Sequence, residues 1–196
     1  MARIYVTSLS DYNAGLLLGE WIDLDGKGTD DVQGEIAAML RRSKHPNVHV
    51  PCPDCEHDRD SQWCIPCGGY GTVPSAEEWA IHDYDDCPDM GENPSLEALL
   101  EQVRLIEEHG DAWEAYTECV GIKYATESGF EDARAGEADS ELEWCEQFLD
   151  DCGTLSKIPE NLRLYFDTER YLRDMKYGGD VSFEEVNGTV YAFWNH

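Results

Sequence analysis

The chain has 196 residues, of which 42 are Asp or Glu against 14 Lys or Arg, for a formal net charge of −28. So negative a molecule is a poor direct ligand for nucleic acid, because phosphate binding draws its affinity from protein cations that displace counterions. A hydrophobic content of 41% with 6 Trp and 10 Tyr excludes wholesale disorder.

No apolar run reaches membrane-spanning length, and the opening MARIYVTSLSDY lacks a signal-peptide stretch, so the chain reads as soluble and cytoplasmic, with no membrane partner. Charge is uneven along it. Residues 1–45 carry 7 acids and 5 bases, residues 46–74 carry 4 and 1, and residues 75–196 carry 31 and 8.

Ile4 and Val6 alternate with polar neighbours and predict a strand, and Leu18 to Leu24 around Trp21 a second. A helix follows from Thr29, its cap, with Asp30 and Asp31 in the first turn. Val32, Ile36, Met39 and Leu40 share its inner face, and Arg41, Arg42 and Lys44 face its negative end before His45-Pro46 stops it. After a cysteine-rich segment, EEWAIHDYDD alternates Trp79 and Ile81 as a strand, although Ser75 with Glu78 also fits a capping box. Pro88, Gly91 and Pro94 mark a linker.

Three acidic helices come next. The first opens at Ser95 and buries Leu96, Leu99, Leu100, Val103 and Ile106. The second turns Trp113, Tyr116 and Val120 inward and ends at Gly121. The third, capped by Ser140 with Glu143, turns Leu142, Cys145, Leu149 and Cys152 inward and ends at Gly153. Residues 159–176 then form one or two short helices, and SFEEV-NG-TVYAFW is a hairpin about Asn187-Gly188. The fold class is α+β: an elongated chain of small domains comprising an N-terminal αβ domain (1–93) with a zinc-knuckle insertion at 46–74, a central acidic helical domain (94–137), and a C-terminal αβ domain (138–196).

Cys52, Cys55, Cys64 and Cys67 are spaced C-x2-C-x8-C-x2-C, the pattern of a structural zinc site in which two tight turns each offer two thiolates. Reducible disulfides and a His57 ligand, with Asp58 and Asp60 beside it, are the alternatives. Cys87, Cys119, Cys145 and Cys152 read as small buried hydrophobes. Four-thiolate sites are closed, which disfavours hydrolysis, and no nucleophilic triad, phosphate loop or dinucleotide fingerprint is present, so no enzyme is predicted. His82 and His109 are expected to make ordinary hydrogen bonds.

Carboxylates one helical turn apart repel by a few tenths of a kcal/mol per pair. They are either a solvated surface, of the kind that also accompanies adaptation to high salt, or an imitation of DNA phosphates. Duplex DNA carries about one charge per 1.7 Å, so −28 equals roughly 14 base pairs, and a two-fold dimer roughly 28. The candidate phosphate-mimicking acids are Asp83, Asp85, Asp86, Asp89 and Glu92 around the strand and linker, Glu97, Glu101, Glu107 and Glu108 on the first acidic helix, Asp111, Glu114 and Glu118 on the second, and Glu141, Glu143, Glu146, Asp150 and Asp151 on the third.

RIYVTSLSDYNAG (3–15), GEWID (19–23), EEWAIHDYD (77–85), IPENLRLYFDTERYLRDM (158–175) and the terminal VYAFWNH together resemble the ArdA family of antirestriction proteins. The resemblance implies an elongated homodimer shaped like a bent duplex. It implies also that the dimer occupies the DNA groove of type I restriction-modification enzymes and inhibits them stoichiometrically, protecting incoming mobile DNA. The family's antirestriction motif falls on residues 158–175, with Leu162, Tyr165, Asp167, Arg173 and Asp174 among its matches. Leu162, Tyr165 and the Asp11-Tyr12-Asn13 triplet are expected to serve core packing. The segment 46–74 departs from the family pattern. Its CIPCGGYG, with Gly69 and Gly71, resembles half of the C-x-x-C-x-G-x-G repeat of DnaJ-type chaperones, which implies an alternative role as an interaction or redox module.

Overall fold

The structure is a computed structural model and describes residues 1–55 and 63–195. It is α+β, with short helices and three small antiparallel sheets, and it divides into two compact units, 1–104 and 105–196. No helix among the described residues is long and apolar enough to cross a membrane. The alternative ligand His57, with Asp58 and Asp60, lies outside the described residues.

In the first unit β1 (Arg3–Ser8) is the central strand, antiparallel to β2 (Gly19–Asp23) and to β5 (Trp79–Asp85). Ile4 and Val6 are fully buried and share a core with Ile22, Ile81 and the inner face of α2 (Thr29–Leu40), Val32, Ile36 and Met39. On the opposite face Tyr5 packs on Trp21 with ring centres 5.4 Å apart, and the Arg3 guanidinium lies 4.8 Å over the Trp21 ring.

Gly28, not Thr29, occupies the cap of α2: its amide donates to Asp31 Oδ2 at 3.0 Å, so the predicted first-turn acid does the capping. Ser75 ends a strand instead of capping a helix, because its carbonyl and the Ala76 amide are taken up by Asn47 and Leu40. The five-residue α1 (Leu9–Asn13), capped by Ser8, was not predicted; it is shorter than any window in which helical periodicity registers.

Between α2 and β5 the chain forms a hairpin, β3 (Val48–Pro51) with β4 (Thr72–Ser75), whose register pairs Val48 with Ser75 and Pro51 with Thr72. The hairpin carries the cysteine segment at its far end.

The second unit is layered. Its sheet has the order β6 (Arg134–Ala138), β8 (Thr189–Trp194), β7 (Val181–Val186). The Asn187-Gly188 turn joins β7 to β8 with φ of 51° and 85°, the primed turn that the sequence predicts. Alternate residues of β8 serve two cores. Tyr191 and Phe193 pack with Trp113 and Tyr116 of α4 (Asp111–Val120) and Phe130 of α5 (Glu127–Ala133). Ala192 and Trp194 pack with Trp144, Cys145 and Leu149 of α6 (Glu141–Asp151) and with Leu172 and Met175 of α8 (Thr168–Gly178). Burial on both faces explains why TVYAFW is a continuous apolar run.

The helices of residues 111–133 therefore share a core with the C-terminal sheet. The helix preceding them, α3 (Leu96–His109), gives Leu96, Leu99 and Val103 to the first unit's core and Leu105 and Ile106 to the next.

Two predicted inward residues point out. Val120, in the last turn of α4, is 38% exposed, and Cys152 is exposed at the C-cap of α6, whose buried side chains are Trp144, Cys145 and Leu149. The Trp144 indole donates to Ala135 O at 3.1 Å and stacks on Phe148.

Candidate metal centre and acidic faces

Cys52 follows β3 directly, and its amide donates to Gly71 O at 3.0 Å, extending the hairpin ladder by one rung. Across that rung the chain turns back through Gly68, Gly69 and Gly71, with φ of 60°, 84° and 74°. Those left-handed positions let the Tyr70 amide reach Cys67 O and the Gly71 amide reach Cys67 Sγ at 3.4 Å.

The four sulfurs converge. Cys52 and Cys64 lie 3.6 Å apart, Cys55 and Cys67 lie 3.7 Å apart, and all four fall within 4.8 Å of one another. A tetrahedron of sulfurs bound at 2.3 Å has edges of about 3.8 Å, so the cluster has the dimensions to hold one metal ion. Cys52, Cys55 and Cys67 are buried, Cys64 is half-buried, and all are free thiols.

The sulfurs also titrate unequally. Desolvation pushes the Cys67 thiol up, but the Gly71 amide and neighbouring thiols outweigh it and bring the pKa down to about 7. For Cys64 the Cys67 backbone favours the thiolate, yet desolvation and hydrogen bonds to the surrounding thiols push the pKa up to about 12. Without a cation, thiolates this close repel one another, so the cluster resists full deprotonation. A metal is what stabilises four.

Fourteen of the seventeen candidate acids are exposed, and Asp85, Asp111 and Glu141 are half-buried. Ion pairs among them include Asp85 with Arg3 at 2.6 Å, Asp86 with the amino terminus at 2.9 Å, Glu101 with Arg104 at 2.9 Å, and Glu141 with Lys176. Asp83 accepts from the Tyr84 amide, Asp89 from the Gly91 amide and Asp111 from the Asn187 side chain. Among the described helices α6 is the most densely acidic. Five acids in 11 residues, at 1.5 Å rise each, give one carboxylate per ~3.3 Å, close to the ~3.4 Å per phosphate of one DNA strand.

Residues 158–175 behave as two different kinds of residue. Asp167 caps α8, accepting from the Arg170 amide at 2.9 Å, and Leu172 and Met175 are buried. Contrary to the packing expected of them, Leu162 is 49% and Tyr165 82% exposed, with Leu164 at 91%. They stand at α7 (Glu160–Arg163) and the turn after it, where hydrogen bonds such as Tyr165 N to Leu162 O are local, and they belong to none of the core clusters of the described residues. Arg173 and Asp174 are exposed neighbours with charged atoms 3.9 Å apart.

Asp11, of the same expectation, is fully buried, but Tyr12 is 50% exposed and Asn13 is exposed, because a single turn of helix directs only one of three successive side chains inward. His82 meets Tyr12 edge-on at 5.1 Å, and the His109 ring lies 4.7 Å from Phe130 with its Nε2 buried and lacking a hydrogen-bond partner. Sequence reasoning missed that Glu108, His109 and Glu127 bring ligand atoms within 4.8 Å of one another, since an 18-residue gap conceals it.

These features define an acidic α+β protein with a four-cysteine cluster at the end of a hairpin. Its sequence matches the family profile described as Antirestriction protein (ArdA) over residues 4–189, and the chain belongs to that antirestriction family. A search of curated proteins returns no match.

Proposed function

We propose that the protein is a DNA-mimicking inhibitor that occupies the DNA-binding groove of a type I restriction-modification enzyme, acting stoichiometrically and without turnover. The observation that carries this reading is the charge density of α6, five carboxylates at the linear spacing of one phosphate strand. Exposed acids on α3, α4 and the segment around β5 extend the same chemistry. The partner's lysines and arginines respond to charge and spacing, so a carboxylate array competes with a backbone for them, and affinity comes from steering and counterion release.

A homodimer, which the family resemblance implies, doubles the number of phosphates imitated. We assign zinc to the four-cysteine cluster, because an all-thiolate, tetrahedral, closed set suits it, and we assign that zinc a structural role.

Equimolar competition with duplex DNA for a purified type I enzyme tests the reading. Displacement that weakens as salt rises is the expected result; no displacement at low salt overturns it.

A further inference from the structure

The cysteine segment carries a feature that charge mimicry does not use. Trp63 is 91%, Ile65 95% and Tyr70 88% exposed, which makes the tip one of the most solvent-exposed apolar stretches among the described residues. Each is tied to the thiolate cluster: Trp63 precedes Cys64, Ile65 lies between Cys64 and Cys67, and the Tyr70 amide donates to Cys67 O at 3.0 Å. Convergent buried sulfurs pull the backbone inward at Cys64 and Cys67, which turns the intervening side chains out. Residues 61–76 are sixteen consecutive positions without Asp, Glu, Lys or Arg, in a chain where 29% of residues are charged.

Apolar side chains held outward on a turn gathered by converging cysteines keep their surface in water at a cost that only a partner removes. Trp and Tyr on a backbone already ordered lose little further freedom when buried, which is the character of an interface anchor.

Charge selects the occupant. The unit that bears the tip holds 20 acids against 7 bases, a net −13 before any thiolate is counted. An anionic membrane or a nucleic acid is repelled by that field, whereas a cationic protein is drawn in. We infer that the tip seats Trp63, Ile65 and Tyr70 in an apolar recess of the same DNA-binding enzyme, beside its cationic track. The inference rests on the mimic reading above. It adds to that reading a contact whose strength is independent of salt and which places the knuckle in the complex instead of leaving it a closed loop.

The test uses the full chain with a W63A/I65A/Y70A variant, titrated against a type I enzyme bound to duplex DNA over a salt series, with bound zinc measured in parallel. The variant is expected to keep its zinc, to compete about thirtyfold less well, and to show the wild-type slope of log affinity against log salt. Oxidative footprinting of the wild-type complex supplies a reading independent of the variant's folding, with Trp63 and Tyr70 protected on binding. Competition unchanged in the variant, or no protection of Trp63 and Tyr70, overturns the inference while leaving the mimic reading in place. Failure of the wild type to compete at any salt overturns both. Two other occupants have their own signatures, and either overturns the inference if enzyme competition is unaffected: variant-sensitive binding to carboxymethylated unfolded lactalbumin, or variant-sensitive self-association in sedimentation.

Discussion

The Ser43 hydroxyl donates to Asp11 Oδ2 at 2.6 Å, a bond that joins the short helix after β1 to the turn after α2. Asp11 is fully buried, and it also accepts from the Ser8 hydroxyl at 2.7 Å and the Lys44 amide at 2.9 Å. Burial pushes its pKa up, but the Ser43 and Ser8 hydroxyls and the Lys44 amide together outweigh that and hold it below the usual aspartate value.

A folded pKa below the unfolded one gives stability that is present above the unfolded value, about 3.9, and is lost as pH falls through the folded value. Asp11→Ala should therefore cost about 2 kcal/mol at pH 7, since it strands the buried Ser8 hydroxyl and the partly buried Ser43 hydroxyl and Lys44 amide. The gap in urea midpoint between wild type and D11N should narrow below pH 4. Comparing the two chains cancels the titration of the many surface acids, and a gap that stays constant from pH 7 to pH 3 would refute the assignment.

For the metal cluster, metal content is the direct measurement. Wild type should bind one zinc per chain, and Cys67→Ser should bind essentially none, because one of the four converging sulfurs is removed. Zinc affinity of the wild type should fall as pH drops below about 7, where the Cys67 thiol regains its proton. Amides of β3 and β4 should lose hydrogen-exchange protection in the variant, while those of β1 and β5 keep theirs, since the core around Ile4 and Val6 contains none of the four cysteines.

Replacing Glu141, Glu143, Glu146, Asp150 and Asp151 by Gln or Asn separates fold from binding. Their removal relieves like-charge pairs such as Glu146 with Asp150 and gives up the Glu141–Lys176 ion pair, each a matter of tenths of a kcal/mol. The melting temperature should move by only a few degrees, while competition with duplex DNA weakens at least about tenfold at low salt and the difference shrinks as salt rises. Wild type should fold in low salt, unlike a surface adapted to molar salt. Equal competition by the neutralised chain would remove α6 from the binding surface.

Elements that bury a single face were legible in the sequence. The face Val32, Ile36, Met39 is where the 3.6-residue period places it, and the four-cysteine spacing does bring its sulfurs together. What escaped was set by partners distant in the chain. Nothing local to TVYAFW says that Tyr191 and Ala192 face two different helical layers, so residues 111–133 could not be assigned to the C-terminal sheet beforehand. β6, RAGEA, lacks β-branched residues and owes its strand to the neighbouring β8. Exposure of Leu162 and Tyr165 was illegible for a related reason: apolar character identifies a residue that gains from burial, and the burying surface need not belong to the same molecule.

That last point divides residues 158–175 experimentally. Leu172 and Met175 pack with Trp144, Leu149 and Val181, so Leu172→Ala should create a cavity and cost about 2–4 kcal/mol in denaturant unfolding. Tyr165 is 82% and Leu164 91% exposed, so Tyr165→Ala and Leu164→Ala should each stay within about 0.5 kcal/mol of wild type. If the motif acts through its surface, Tyr165→Ala will lower antirestriction activity or weaken self-association at unchanged stability, whereas Leu172→Ala will lose activity only in proportion to folded protein. Full activity and wild-type association in Tyr165→Ala would leave the exposed half of the motif without a role, and residues 158–175 would then reduce to Asp167 as a cap and two buried side chains that anchor α8.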